Sequence, residues 1–175
     1  RFSWIRDTSF TIQALTTMGH LQDAEEVLNW LTSTLCTDEK CTGDIRILYP
    51  LRNIAIPPEE ELTHLEGYKG AQPVRIGNAA EHQQQNDIYG EVLEAIFRSE
   101  RLHPGPDTKL QRTLEYIVNH VCDIWREPDD GIWELRSGAQ HYTYSKVMCW
   151  VALDRGIRLA QEHKWDCDLT HWEEE

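Results

Sequence analysis

The chain has 175 residues, with 17 Lys and Arg against 30 Asp and Glu and a formal net charge of −13. That length carries one domain with a core, or part of a larger one. The acidic balance repels phosphates, so nucleic acid is excluded as a partner in favour of a neutral or cationic one, and no apolar run approaches the roughly 20 residues that cross a bilayer, so no membrane role is expected.

The opening RFSWIRDTSF has neither an initiator methionine nor an apolar leader, so an excerpt of a longer protein is expected. Apolar residues then recur at three- and four-residue intervals in five segments, and no stretch alternates as a buried strand does, which makes the class all-α. The first helix is predicted from Asp7 or Thr8 to Met18, with Phe10, Ala14, Leu15 and Met18 on its apolar side and Gly19 ending it. The second, Leu21 to Leu35, carries Ala24, Val27, Leu28, Leu31 and Leu35, and the pair forms a helical hairpin.

A third helix is predicted from about Asn78 to Ser99, although its first half, NAAEHQQQND, lacks an apolar stripe. HPGPD breaks the chain, Asp107 caps a fourth helix through Leu110, Leu114, Ile117, Val121 and Ile124, and a fifth runs from about Thr143 to Gln161. The tail HKWDCDLTHWEEE ends in charges that read as solvated.

Five cysteines, at 36, 41, 122, 149 and 167, form no CxxC pair. Cys122 and Cys149 fall in apolar helical patterns and read as buried free thiols, while Cys36 and Cys41 can close a short loop in an oxidising compartment. The odd number leans towards a reducing, cytoplasmic setting.

Long irregular stretches at 37–77 and 126–142 are the places to look for function. The first carries Tyr49, Glu66, Tyr68 and Arg75, and the second carries Trp133, Glu134, Arg136, His141 and Tyr142. A third cluster, SWIRD, precedes the first helix. Three helix-leading segments with the same chemistry suggest a ring whose helix ends converge on one mouth. Aromatic faces beside carboxylates and arginines suit a sugar, whose C–H face lies on a ring while its hydroxyls bond to charged groups.

Among seven tryptophans, Trp30, Trp125 and Trp150 read as packing residues, whereas Trp4 and Trp133 sit close to acids in helix-leading segments. Asp7 is either the N-cap of the first helix or, with Arg6, a sugar ligand. Glu134 is either a solvated loop acid or a general acid for a glycosidic oxygen. Asp87 suits the end of a polar network inside the bundle. Lys146, near a helix start, opposes the helix dipole and calls for a carboxylate or sugar hydroxyl to hold it. His141 has no neighbour at metal-ligand spacing, so no metal site is predicted.

SWIRDTSFTIQAL, HLEGYKGAQPVRIGNAA, DIYGEVLEA and GIWELRSGAQHYTYSKVMCWVALDRGIRLA, in this order, resemble glycoside hydrolase family 15, the glucoamylase-like group that includes bacterial-type trehalases. The resemblance implies part of an (α/α)6 toroid, with residues 1–175 forming the first half of a catalytic barrel. It implies inverting hydrolysis of α-glucosidic bonds in α-glucan oligosaccharides or trehalose, with no cofactor. Glu134 then matches the family's general acid, and Arg6 and Asp7 match its innermost glucose ligands. Trp4, Glu66, Tyr68, Arg75, Trp133 and His141 complete the expected sugar-binding set. The general base is expected beyond this sequence, so the chain alone is expected to be inactive. The alternative is a non-catalytic regulatory toroid like that of phosphorylase kinase regulatory subunits. Gln84 and Asn86 depart from the family pattern, in which apolar residues alternate with glutamine.

Overall fold

The computed structural model describes residues 2–36, 43–52, 55–99, 107–133, 135 and 137–175. Among these residues six α-helices dominate: α1 (Ile5–Met18), α2 (Leu21–Leu35), α3 (Asp87–Arg98), α4 (Thr108–Ile124), α5 (Thr143–His163) and α6 (Leu169–Glu174). Two short antiparallel pairs accompany them, β1 (Phe2–Trp4) with β2 (Leu48–Pro50) and β3 (Glu60–Glu61) with β4 (Arg75–Ile76). The class is all-α, as the periodicity predicts.

Helices α1, α3 and α5 lie side by side as one layer, and α2, α4 and α6 pack against that layer from outside. The elements are therefore three successive inner-outer hairpins, the repeating unit of an (α/α)6 toroid. Between the layers lies one core that joins Ile12, Leu31, Leu93, Leu114, Ile117 and Leu159. Helix α3, flanked by α1 and α5, is buried over every residue from Asp87 to Ile96. Gly90 allows a close approach of α3 to α5, since a Cβ there would overlap the backbone carbonyl of Met148.

Several boundaries follow their local signals. Gly19, at φ 83°, ends α1 and returns its N–H to the carbonyls of Leu15 and Thr16. The Asp107 carboxylate accepts from the Leu110 N–H at 2.8 Å and caps α4. Helix α1 starts at Ile5, earlier than predicted, so Asp7 stands in its first turn and is not its N-cap. Its buried face is also different. Ile5, Thr8, Ser9 and Ile12 pack inward while Phe10 is 44% exposed and Met18 71%. The hydroxyls of Thr8 and Ser9 are satisfied by the Trp4 and Ile5 carbonyls one turn back, which lets small polar residues line a helix interface.

Residues 78–86 do not extend α3. Ala79–His82 form a 3₁₀ turn capped by the Asn78 side chain, and helical structure resumes only at Asp87. Within the tail, Leu169–Glu174 form α6: Glu173 and Glu174 are exposed, as expected of the terminal charges, while Trp172 is buried and donates its indole N–H to Asn119 Oδ1 at 2.7 Å. Glu175 accepts from the Trp125 indole at 2.8 Å. Cys122 and Cys149 are buried free thiols, which burial pushes up to about 11 and about 12. Cys36 is free, and Cys41 lies outside the described residues.

Candidate active site

The segments that lead into the three inner helices meet at one end of the layer. Arg6, 8% exposed, is the junction. Its Nε and Nη2 donate to the two carboxylate oxygens of Asp87 at 2.5 and 3.0 Å, a bidentate fork that matches the planar guanidinium. Nη2 also donates to Gln85 Oε1 at 2.6 Å, and Nη1 to the Ile132 carbonyl at 3.3 Å. Burial disfavours the charge on Arg6, but the hydrogen bonds and charge of Asp87 outweigh it and raise its pKa above the ordinary arginine value. One side chain thus ties the start of α1 to the start of α3 and to the loop before α5.

That loop is fastened further by Asp129, which is fully buried. Its Oδ2 accepts from the Asn86 N–H at 3.0 Å, the Gly131 N–H at 3.3 Å and Ser145 Oγ at 2.7 Å. Backbone pairs reinforce it: Asp129 exchanges both hydrogen bonds with Gln140, and Asp130 N–H reaches the Gln84 carbonyl at 2.7 Å. Gln83 Nε2 donates to the Leu135 carbonyl at 2.8 Å. Lys146 is held at 2.5 Å by the carbonyls of Trp125 and Glu127, not by the predicted carboxylate or sugar hydroxyl. Those carbonyls follow the C-terminus of α4, where the helix dipole favours a cation.

One turn beyond Asp87 on α3, the Glu91 carboxyl is buried and accepts from Tyr144 Oη at 2.5 Å. Burial raises its pKa above the usual carboxylate range, the Tyr144 hydrogen bond works against that, and the charge of Asp87 adds to it. Burial and Glu91 together push the Tyr144 phenol up. A carboxyl perturbed in this way beside an arginine-carboxylate pair is the kind of group that functional sites collect.

The predicted site residues separate into groups. Arg6 is buried in the junction and donates four hydrogen bonds to protein acceptors, whereas Asp7 beside it is exposed. Trp133 follows the anchored Ile132 and is 78% exposed, an open indole face. His141 is exposed next to the Asp129–Gln140 bridge. Trp4 is half-buried against the core, so its ring serves packing as well as the cluster. Trp150, predicted to pack, is 60% exposed on α5. Glu66 and Tyr68 are exposed, and Arg75 pairs with Glu61 at 3.0 Å and Glu59 at 3.6 Å across the β3–β4 ribbon. None of the hydrogen bonds made by Arg6 reaches these three. Glu134 and Arg136 lie outside the described residues.

Sequence reasoning missed Gln83, Gln85, Glu91, Asp129, Tyr144 and Ser145. A signal existed for the glutamines: in an extended segment, residues two apart share a face, so Gln83 and Gln85 align.

The sequence matches the family described as Glycosyl hydrolases family 15 over residues 1–175. It is 38% identical over 161 residues to the trehalase of Mycolicibacterium smegmatis, covering 92% of this chain and 24% of that protein. It is 38% identical over 172 residues to the trehalase of Mycobacterium tuberculosis, covering 98% of this chain and 25% of the relative. A trehalase of Thermoplasma acidophilum is 36% identical over 172 residues, 98% of this chain and 29% of its own length. The chain thus spans 24–29% of the length of these relatives. No solved structure matches it. With the family match running through every segment that builds the junction, the chain belongs to glycosyl hydrolase family 15.

Proposed function

We propose that this chain supplies the acid side of the active site of an inverting α-glucosidase, with trehalose as its substrate. Glu134 is the general acid that protonates the departing glycosidic oxygen, and a general base outside this chain activates the water that attacks the anomeric carbon. The two carboxyls of such an enzyme stand about 6.5–9.5 Å apart to admit that water. Residues 1–175 form the first part of the catalytic barrel and do not turn over substrate alone.

The observation that carries this reading is the Arg6–Ile132 hydrogen bond, which joins WIRD to GIWEL across 126 residues of sequence. It sets the exposed Asp7 and the open ring of Trp133 at the same end of the inner helices. An exposed carboxylate can accept sugar hydroxyls and an open indole can take a pyranose face, the two contacts that a glucose site needs. Asp7 and Trp133 are therefore the direct sugar contacts, with His141 at the rim, and Arg6 acts from behind them. The names of the relatives favour trehalose over α-glucan oligosaccharides.

The test uses the full-length protein. Glu134→Gln lowers turnover of trehalose by about 10²–10⁴-fold while binding persists, because a general acid acts only in the transition state. Activity within a few-fold of the parent ends the assignment. Inversion is read separately by proton NMR. Hydrolysis of trehalose first yields one α- and one β-glucose, and two α-glucoses overturn the inverting mechanism.

A further inference from the structure

The run HQQQND finds no place in the chemistry of the acid or of the sugar, yet its glutamines connect the two ends of the junction. Arg6 Nη2 donates to Gln85 Oε1 at 2.6 Å, Gln85 Nε2 donates to Gln83 Oε1 at 3.0 Å, and Gln83 Nε2 donates to the Leu135 carbonyl at 2.8 Å. We infer that Gln83 and Gln85 are positioning residues, an amide relay that carries the orientation of Arg6 to Leu135 and so fixes the chain on the far side of position 134.

The relay has one possible sense. A guanidinium has only donors, so the amide oxygen of Gln85 must face Arg6 and its NH2 must face away. That NH2 fixes the oxygen of Gln83, and the NH2 of Gln83 is left to meet a carbonyl. Flipping either amide places oxygen against oxygen or NH2 against NH2. Arg6 itself is held by both oxygens of Asp87, so the relay starts from a rigid point.

Among the described residues, main-chain pairing secures the loop near its ends, at Asp129, Asp130 and Gln140. Between Gly131 and Gln140, the described backbone anchors are side-chain donors: Arg6 at the Ile132 carbonyl and Gln83 at the Leu135 carbonyl. These two anchors, three residues apart, bracket Trp133 and position 134. Both originate in Arg6, one directly and one through the glutamines. The residue matched to a glucose ligand in the family pattern thus works here as a clamp on the loop.

The inference rests on the proposed role of Glu134 only for its activity readout. Gln83→Glu keeps the shape of the side chain, removes the NH2 donor and sets a carboxylate against the Leu135 carbonyl. In the full-length protein, amide hydrogen exchange in peptides covering 130–137 is expected to rise about 3- to 10-fold, the loss of one net hydrogen bond, while peptides of α3 and α5 stay unchanged. On trehalose, kcat is expected to fall about 10- to 100-fold with KM within about twofold, as for a misplaced catalytic group. The kcat ratio of variant to parent is expected to recover as the pH falls towards about 4.3, where a protonated carboxyl at position 83 again donates to Leu135. Gln83→Ala, measured alongside, shows the same exchange pattern without the pH recovery.

Exchange and kcat both within about twofold of the parent overturn the inference, as does an exchange increase spread evenly over α3 and α5, which makes Gln83 a general structural residue. Glu134→Gln separates the two ideas. Should that variant keep its turnover, the acid assignment falls and the exchange pattern alone decides the relay.

Discussion

The loops at 55–77 and 126–142 are alike in composition and opposite in attachment. Both carry aromatic, arginine and carboxylate residues. In the first, the polar partners are near in sequence: Arg75 bonds Glu61 across 14 residues, and the Ala79 N–H bonds Glu59 across 20. In the second they are distant: Arg6 reaches Ile132 across 126 residues, Gln83 reaches Leu135 across 52, and Asn86 reaches Asp129 across 43. A locally closed ribbon can open without disturbing the helices, whereas the second loop moves only with the starts of α1 and α3. Chemistry that needs sub-ångström placement belongs on the second.

The sharpest way to break this contrast is to remove one member of its buried pair. Asp87→Ala strands the Arg6 charge, at a cost of about 3–5 kcal/mol in urea unfolding, with exchange protection lost in 126–142 and retained in 55–77. Ser145→Ala takes one donor from the buried Asp129 carboxylate and is expected to cost about 1–3 kcal/mol by the same measurement. Arg75→Ala, in the exposed ribbon, is expected to cost about 0–1 kcal/mol, and a larger loss would show that the first loop is also integral.

A pH series sharpens the comparison from the side of the inner wall. The pKa of Glu91 is raised in the fold, so the folded chain binds its proton more tightly than the unfolded chain does. Stability therefore falls as pH climbs from the ordinary carboxylate value through the raised one, and is fully retained below both. Glu91→Gln is expected to flatten that limb and to raise the melting temperature at neutral pH. An unchanged pH profile would mean that the Tyr144 hydrogen bond and the burial cancel.

The sequence shows the fold where its signals are local. Asp107 before an apolar repeat, and Gly19 after one, mark helix ends by capping chemistry that needs no distant partner. It misleads where a distant partner decides. The buried face of α1 is built from Thr8 and Ser9, whose hydroxyls bond within the helix, so hydropathy points to Phe10 and Met18 instead. Residues 78–86 look like a weak helix because their glutamines bond to Arg6, to each other and to Leu135. The site shows the same division. The motifs mark where arginine, aromatic and carboxylate residues gather, but that Arg6 turns towards the protein depends on Asp87, 81 residues away.

Gly90 gives the wall a say in events at the mouth. Its single hydrogen lets α3 seat against the Met148 carbonyl of α5, so the girth of the inner ring is set partly by one absent methyl group. A Cβ at that position would stand 2.2 Å from the Met148 carbonyl, so an alanine there is expected to press α3 and α5 apart and to strain the 3.3 Å bond from Arg6 to Ile132. Widening this wall and loosening the loop that Arg6 holds are, in this architecture, a single displacement.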